Sequence, residues 1–296
     1  MAVPIDLTPT LIIVLGIVGV GVALITSMVG LGGGIIFVPV LLLFFQFPAK
    51  NAIPISLLAM TGNTISCSIA YIRQKRVNYK LALLYDVMDP VGVYVGALLM
   101  TILSENIIIG SVAGIIFILG FSLIRKARSN QITESTPHDS SFKNGQHNSC
   151  TSDQVTGEPN NQNQSTSSPT KDVKIKKLPV ILVSSFGSGF VSGLAGLGGG
   201  ITDTTSMILL GVPPYIAAPT SEFAMAFTNI IAVIAHTLMG NMVWEAAVPL
   251  MFGAVIGAQI GAHLSKRVKN HVLIYILVGF AWFAAIRLIF SITIGI

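Results

Sequence analysis

A seven-residue segment that occurs twice constrains this sequence more than any other feature. Residues 29–35 read VGLGGGI, and residues 195–201 read AGLGGGI, 166 positions later. Each copy holds four glycines within five residues, and glycine is a poor helix former because it loses much backbone entropy on folding. Apolar runs flank both copies, so we expect a helix to break at each of them.

The composition predicts a polytopic membrane protein. Of the 296 residues, 52% are hydrophobic and 10% are charged, whereas a soluble domain carries about 25% charged residues. The formal net charge is +5, but the basic residues cluster at the ends of apolar runs, which indicates cytoplasmic loops rather than a nucleic-acid partner. Cys67 and Cys150 lack a metal-ligand spacing. We therefore predict the lipid bilayer as surroundings, with no cofactor, metal or nucleic acid.

Apolar runs near the length of a membrane span, about 20 residues, predict about ten transmembrane or re-entrant helices. The second run of each half is short. At 1.5 Å per residue it reaches about 18–21 Å, against a hydrocarbon core of about 30 Å, so it crosses incompletely or re-enters as a hairpin with the run before it. The predicted elements are 10–28, 34–47, 52–72, 81–103 and 106–126, then 178–196, 200–211, 217–238, 244–264 and 271–294.

The centre of the chain differs from both ends. Residues 129–177 are rich in Ser, Thr, Asn and Gln and poor in large apolar side chains, a composition that cannot repay the entropy of ordering. We predict a disordered polar linker there. It separates a first repeat, residues 1–128, from a second repeat, residues 178–296.

The two halves match beyond the glycine runs. Because the matched residues fall in the same order, each half contains five equivalent elements. The Gly-x-x-x-Gly pairs among them favour tight helix packing within one chain, with homodimerisation as the alternative. The matches are Pro48 with Pro214, Ser56 with Ser221, Met60 with Met225, and Gly92 and Gly96 with Gly257 and Gly261.

Charged loops predict that the halves face opposite ways. In the first half, basic residues follow the third element (73–80), whereas in the second they follow the fourth (266–269). Since basic loops stay in the cytoplasm, the linker is cytoplasmic and both termini are outside the cell membrane. The predicted fold class is an all-α membrane protein built as an inverted repeat of two five-element halves.

With these motifs aligned, the chain resembles the TauE/SafE sulfite exporter family. The resemblance rests on the paired G-L-G-G-G-I, the prolines that follow and the Ser-x-x-Ala-Met segments. It implies transport of small sulfur-containing anions such as sulfite or organosulfonates. The long linker and Asp203, where an apolar residue is more usual, depart from the family pattern.

The glycine runs are the predicted substrate-binding backbone. A helix that starts after each run directs unpaired N–H groups and a partial positive charge back at the break, which suits an oxyanion. The alternative is that the glycines only allow close helix packing, but two breaks at matched positions favour a transporter's binding site. The candidates are Gly32, Gly33, Gly34, Gly198, Gly199 and Gly200.

Polar side chains on the third elements are the next candidates. Ser56 and Asn63 share one helical stripe with Met60, and Ser221 and Thr228 share the matching stripe with Met225. Their hydroxyl and amide groups suit a sulfonyl oxygen. Hydrogen bonding between helices is an equally good explanation.

Ionisable residues within the spans are candidates for coupling to protons or a cation, because each is costly in lipid. Glu222 and His236 share a stripe, and His236 is alternatively solvated at the outer surface. Asp86 and Asp89 either couple protons or form structural ion pairs with Lys80 or Arg287. Asp203 suits the helix dipole but repels an anion, so it is protonated, points away or takes part in coupling.

We therefore predict a secondary transporter, an exporter that works by alternating access. The rival functions are a proton- or cation-coupled carrier of another small organic anion and an intramembrane enzyme. We do not predict an enzyme, because neither an H-E-x-x-H nor a G-x-S-x-G motif occurs. A membrane receptor or scaffold that uses the linker is the remaining alternative.

Overall fold

A computed structural model describes residues 8–29, 32–134, 178–210, 212–264 and 270–294. Every regular element in these ranges is an α-helix, which confirms the predicted all-α class. The helices are α1 Pro9–Val29, α2 Gly34–Leu43, α3 Ala49–Arg73, α4 Tyr79–Asp86, α5 Asp89–Ile102, α6 Glu105–Glu134, α7 Leu178–Ala195, α8 Gly200–Leu209, α9 Pro214–Leu238, α10 Trp244–Leu264 and α11 Asn270–Ile294.

The helix breaks lie at the glycine runs, as predicted. α1 ends at Val29 and α2 begins at Gly34, while α7 ends at Ala195 and α8 begins at Gly200. α2 and α8 have 10 residues each, fewer than predicted, and therefore reach only about 15 Å, half of a hydrocarbon core. Neither helix crosses a bilayer by itself.

The prediction of one continuous element over residues 81–103 was wrong. The segment is divided by a turn at Val87 and Met88 into α4 and α5, so the described residues form eleven helices rather than ten. Pro90 lies in the first turn of α5, where a missing N–H is tolerated, whereas deeper in a helix it would break a hydrogen bond. The corresponding α10 is uninterrupted.

α6 also departs from its predicted bounds, because it continues to Glu134. It therefore runs past residue 128, the predicted end of the first repeat. The rest of the predicted linker, residues 135–177, lies outside the described residues.

The first helix of the chain packs along a helix of the other half. A Cβ added to Gly257 would lie against the backbone of Val20, and one added to Gly261 would lie against Leu24. Because both numbers rise together, α1 and α10 run in the same direction. The glycines on the facing sides of the two helices let the backbones approach closely.

The same contact recurs between the other two equivalent helices. A Cβ on Gly92 would meet the backbone of Phe186, and one on Gly96 would meet Phe190. α5 and α7 therefore also run parallel. The first helix of each half thus lies along the fourth element of the other half.

The distribution of polar and apolar side chains is that of a membrane protein. Large apolar side chains such as Ile17, Leu83 and Val183 are exposed, while polar ones such as Asn63 and Glu222 are fully buried. Among the residues that the structure describes, six helical segments are long and apolar enough to cross a membrane. An apolar exterior around a polar interior suits lipid and not water, so the chain is a multi-pass membrane protein.

Candidate functional site

Both glycine runs have a backbone that other residues rarely adopt. The φ angle is 69° at Gly32, 104° at Gly33, 64° at Gly196 and 69° at Gly198. These values lie in the left-handed region, which a side chain disfavours. The breaks are therefore sharp turns, and the α-helices that follow them start with N–H groups that have no acceptor within the helix.

The two breaks lie against each other in the interior. A Cβ on Gly34 would meet the backbone of Leu197, so the start of α2 touches the second break directly. The Met225 side chain lies beside Gly32, and the Met60 side chain lies beside Gly198. Met225 also lies beside Gly200 of its own half, so the two methionines fill the junction of the breaks, and both are fully buried.

One amide of the first break already binds a carboxylate. The N–H of Gly32 donates to Glu222 Oε1 of α9 at 2.8 Å, and the amide of Asn63 donates to the Gly32 carbonyl at 2.8 Å. The second carboxylate oxygen of Glu222, Oε2, is buried without a partner. Glu222 thus occupies the position that the sequence analysis predicts for an anion.

The second break has a different set of side chains around it. Ser56 Oγ donates to the Gly196 carbonyl at 3.2 Å, and Ser221 Oγ lies 2.5 Å from Thr204 Oγ1. In the first turns of α8, Asp203 is fully buried. Ser188 lies near the Asp203 carboxylate, yet neither side chain makes a hydrogen bond of acceptable geometry.

Asp86 and Asp89 both contact the same hydroxyl group, which belongs to a residue of the other half. Thr228 Oγ1 lies 3.0 Å from Asp86 Oδ1 and 2.7 Å from Asp89 Oδ2. Ser185 Oγ of α7 lies 3.1 Å from Asp89 Oδ1 and also contacts the Tyr85 carbonyl. The partner of this pair is therefore Thr228, and not Lys80 or Arg287, whose side chains are both exposed.

The predicted stripe of Glu222 and His236 is divided between two places. His236 Nε2 lies 3.0 Å from the Gly193 carbonyl of α7, about 21 Å along α9 from Glu222 at 1.5 Å per residue. His236 is fully buried, so the alternative of a solvated histidine was wrong. Asn229, between them, is buried with both amide atoms unpartnered.

Sequence reasoning missed several residues that the structure brings to these sites. Ser185 and Ser188 were not candidates, although with Ser192 they follow a three- and four-residue spacing that places them on one face of α7. That spacing was a detectable signal. Met60 and Met225 were identified as matched positions, but their contact with the opposite break depends on how the halves pack.

Neither a metal site nor the apolar groove beside α1 offers an alternative site for an anion among the described residues. Within the described ranges, no group of three or more His, Cys, Asp or Glu side chains is arranged to hold a metal ion. A groove of about 640 Å³ lies between α1, α2 and α11, and its walls include Val14, Val18, Phe44 and Phe280. These walls are apolar and open to the lipid-facing exterior, so they do not suit an anion.

Comparisons with known proteins find related membrane transporters. The family model described as Sulfite exporter TauE/SafE matches residues 15–288. The chain is 27% identical over 273 residues to the probable membrane transporter protein YunE of Bacillus subtilis (strain 168), a match that covers 90% of this chain and 92% of that protein. Over 279 residues it is 23% identical to the probable membrane transporter protein MJ0441 of Methanocaldococcus jannaschii, covering 88% and 89%.

A shorter match covers 37% of this chain. In this match, the chain is 32% identical over 116 residues to the sulfite exporter TauE/SafE family protein 3 of Arabidopsis thaliana. The matched segment spans 24% of that protein. No solved structure matches the chain.

Proposed function

The chain belongs to the TauE/SafE sulfite exporter family of membrane transporters, and from this premise we propose that it exports a small sulfur-containing oxyanion as a secondary transporter. Sulfite and organosulfonates are the substrates we expect. The anion binds where the two glycine breaks meet, because the first turns of α2 and α8 direct free N–H groups there.

The contact between Gly32 and Glu222 is the observation that carries this proposal. The Gly32 N–H donates to a carboxylate oxygen at 2.8 Å inside the protein, so this amide binds an oxyanion without a cationic side chain. A sulfite or sulfonate oxygen has the same acceptor character. We propose that the substrate displaces Glu222 from Gly32 and completes its coordination with Asn63, Ser56, Ser221 and the glycine amides of the second break.

The way in which the halves pack supports alternating access as the mechanism. If successive elements of one half alternate in direction, its first and fourth elements are antiparallel. α1 is nevertheless parallel to α10, and α7 is parallel to α5, which supports two halves of opposite orientation. Rocking of one half against the other around the glycine breaks would expose the same anion to either side.

A flux experiment tests the proposal. Purified protein in proteoliposomes loaded with unlabelled sulfite should take up radiolabelled sulfite by counterflow, and external organosulfonates should compete. Gly32→Ala should reduce this exchange at least tenfold, because Gly32 has a φ of 69° and contacts Met225. Gly21→Ala is the matched control, since a Cβ on Gly21 meets no atom within 4 Å.

The outcomes separate the candidate functions. Competition by sulfite and sulfonates but not by carboxylates supports the sulfur anion. A small carboxylate is the second candidate, favoured by the fact that the Gly32 amide holds a carboxylate in this structure. The absence of exchange for every anion with a folded protein would refute anion transport.

The orientation has its own test. Residues 163–165 read Asn-Gln-Ser, which is an acceptor sequon for N-glycosylation. In a glycosylating host, Asn163 should remain unmodified because the linker is cytoplasmic and both termini are outside. A mass shift that a deglycosidase reverses would contradict this orientation.

A further inference from the structure

A second polar cluster lies between the halves, away from Gly32. Asp86 and Asp89 belong to the first half, and Ser185, Asp203 and Thr228 belong to the second. Asp89 and Asp203 are fully buried, while Asp86 is half-buried. The cluster therefore reaches from a partly exposed carboxylate to two that have no contact with solvent.

The cluster has more acceptors than hydrogens when its carboxylates are ionised. Four contacts join Thr228 Oγ1 to Asp86 and Asp89, and Ser185 Oγ to Asp89 and the Tyr85 carbonyl. The two hydroxyl groups supply one hydrogen each, so two of the contacts have none. A proton on Asp89 supplies the third hydrogen, and one on Asp86 supplies the fourth.

Asp203 also lacks hydrogen-bond donors for its carboxylate oxygens. Both of its carboxylate oxygens and the neighbouring Ser188 hydroxyl are buried without a hydrogen-bond partner. Among the described residues, the charged groups that act on Asp203 are Asp89 and Asp86, both acidic. A fully buried carboxylate with acidic neighbours and a single poorly aligned hydroxyl beside it has little to stabilise a negative charge.

No other titratable group near the cluster supplies a compensating charge within the part of the chain that the structure describes. Besides Asp86, α4 brings the Tyr85 phenol to the cluster, where it accepts from Ser206 at 2.9 Å, whereas Tyr79 and Lys80 of the same helix are exposed. α7 contributes hydroxyl groups and the Gly189 amide, which faces Asp89. On α9, Glu222 binds Gly32 and His236 binds Gly193.

The fold does not require these polar groups. The internal repeat places Phe37 at the position of Asp203, Ala254 at that of Asp89 and Gly19 at that of Ser185. In the α1–α10 contact, a Cβ on Gly19 would lie against Ala254. Asn63, the counterpart of Thr228, is polar but binds Gly32. Since the counterparts of Asp89 and Asp203 are apolar, these acidic residues have a role other than packing.

We propose that Asp86, Asp89 and Asp203 form a proton-binding site that couples anion movement to the proton gradient. This inference rests on the proposed function, because it assigns the ion that drives it. Protons enter at Asp86 and reach Asp89 through the Thr228 hydroxyl. Every contact of Thr228 and Ser185 with Asp86 and Asp89 crosses between the halves. The loss of a proton therefore removes a hydrogen bond across the interface that must move during transport.

Infrared spectroscopy and flux test the site together. On acidification, purified wild-type protein should gain the carbonyl band of protonated carboxyl groups, and this gain should be smaller in Asp89→Asn. In proteoliposomes, an imposed pH gradient should change sulfite accumulation at least tenfold in wild type and less than twofold in Asp89→Asn. Glu245→Gln, at an exposed position on α10, is the control and should behave as wild type. Asp86→Asn, at a half-buried position, replaces the first variant if that one does not fold.

The outcomes distinguish this inference from the proposed function. A smaller infrared change together with loss of the pH response supports the proton site. An infrared change identical to wild type in both aspartate variants, or a pH response that survives both, overturns it. Flux driven by a sodium gradient and insensitive to pH also overturns it. Sulfite exchange without any pH response refutes the coupling and leaves anion transport standing, whereas absence of all anion exchange refutes the proposed function and the coupling with it.

Discussion

Glu222 of α9 accepts a hydrogen bond from the backbone N–H of Gly32 at 2.8 Å, across the boundary between the two halves. Leu57 occupies the equivalent position in α3, so the repeat does not duplicate this contact. A single carboxylate therefore holds one of the two breaks, and the site is asymmetric although the helices around it are related.

Replacing Glu222 with glutamine should strengthen anion binding. An amide oxygen accepts the Gly32 N–H more weakly than a carboxylate, by about 1 kcal/mol, and carries no charge that opposes the substrate. The KM for sulfite exchange should therefore fall about fivefold. Glu105→Gln is a matched control, because Glu105 accepts the Ala49 N–H at 2.8 Å away from the glycine breaks. An unchanged KM in Glu222→Gln would show that the anion does not replace this carboxylate.

Alanine at Gly32 should destabilise the protein. The left-handed conformation costs a non-glycine residue about 1–2 kcal/mol, and the new Cβ would displace the end of the Met225 side chain. The melting temperature in detergent should fall, whereas Gly21→Ala should leave it unchanged or raise it, because alanine favours helix over glycine. Equal melting temperatures for the two variants would contradict the strained turn at Gly32.

The parallel helix pairs should depend on their glycines. A Cβ on Gly96 would meet the backbone of Phe190 and Leu194, and overpacking of this kind costs about 1–3 kcal/mol. We expect Gly96→Ala and its counterpart Gly261→Ala, where a Cβ would meet the Leu24 backbone, to lower the melting temperature by similar amounts. Gly114→Ala on α6 is the control, since no atom lies within 4 Å of its added Cβ. A loss in only one of the two variants would show that the interfaces are not equivalent.

The methionines that cover the breaks can be tested by truncation. Met225→Ala removes the side chain that lies beside Gly32 and should cost about 2–5 kcal/mol, because the site cannot collapse fully around the cavity. Met225→Leu conserves volume and should cost less than about 1.5 kcal/mol. Chemical unfolding in detergent measures both, with Met88→Ala at an exposed position as control. A small loss in Met225→Ala would mean that the junction of the breaks is loosely packed.

The sequence alone predicted the local features of this fold. Glycine runs predicted the helix breaks at Gly34 and Gly200, and the rarity of charge in lipid identified Asp203 and Glu222 as functional candidates. The turn before α5 was missed because a single proline, Pro90, is compatible with either a helix start or a kink.

Contacts between the halves were beyond sequence reasoning. The contact of Glu222 with Gly32 joins residues 190 positions apart, and that of Thr228 with Asp89 joins residues 139 apart. Nothing in either local segment encodes the partner, because register between helices depends on how small residues let backbones approach. The face of each helix was readable from its spacing, but the helix it would meet was not.

The pairing of α1 with α10 has a consequence for biogenesis. Because α1 leaves the ribosome long before its partner, its glycine face must remain in lipid without a matching helix until most of the chain has been inserted. Because the first helix of each half packs on the fourth element of the other half, neither half can reach its final packing alone. An arrest of translation before Trp244 should therefore leave an inserted but unassembled intermediate, which membrane quality-control proteases would recognise.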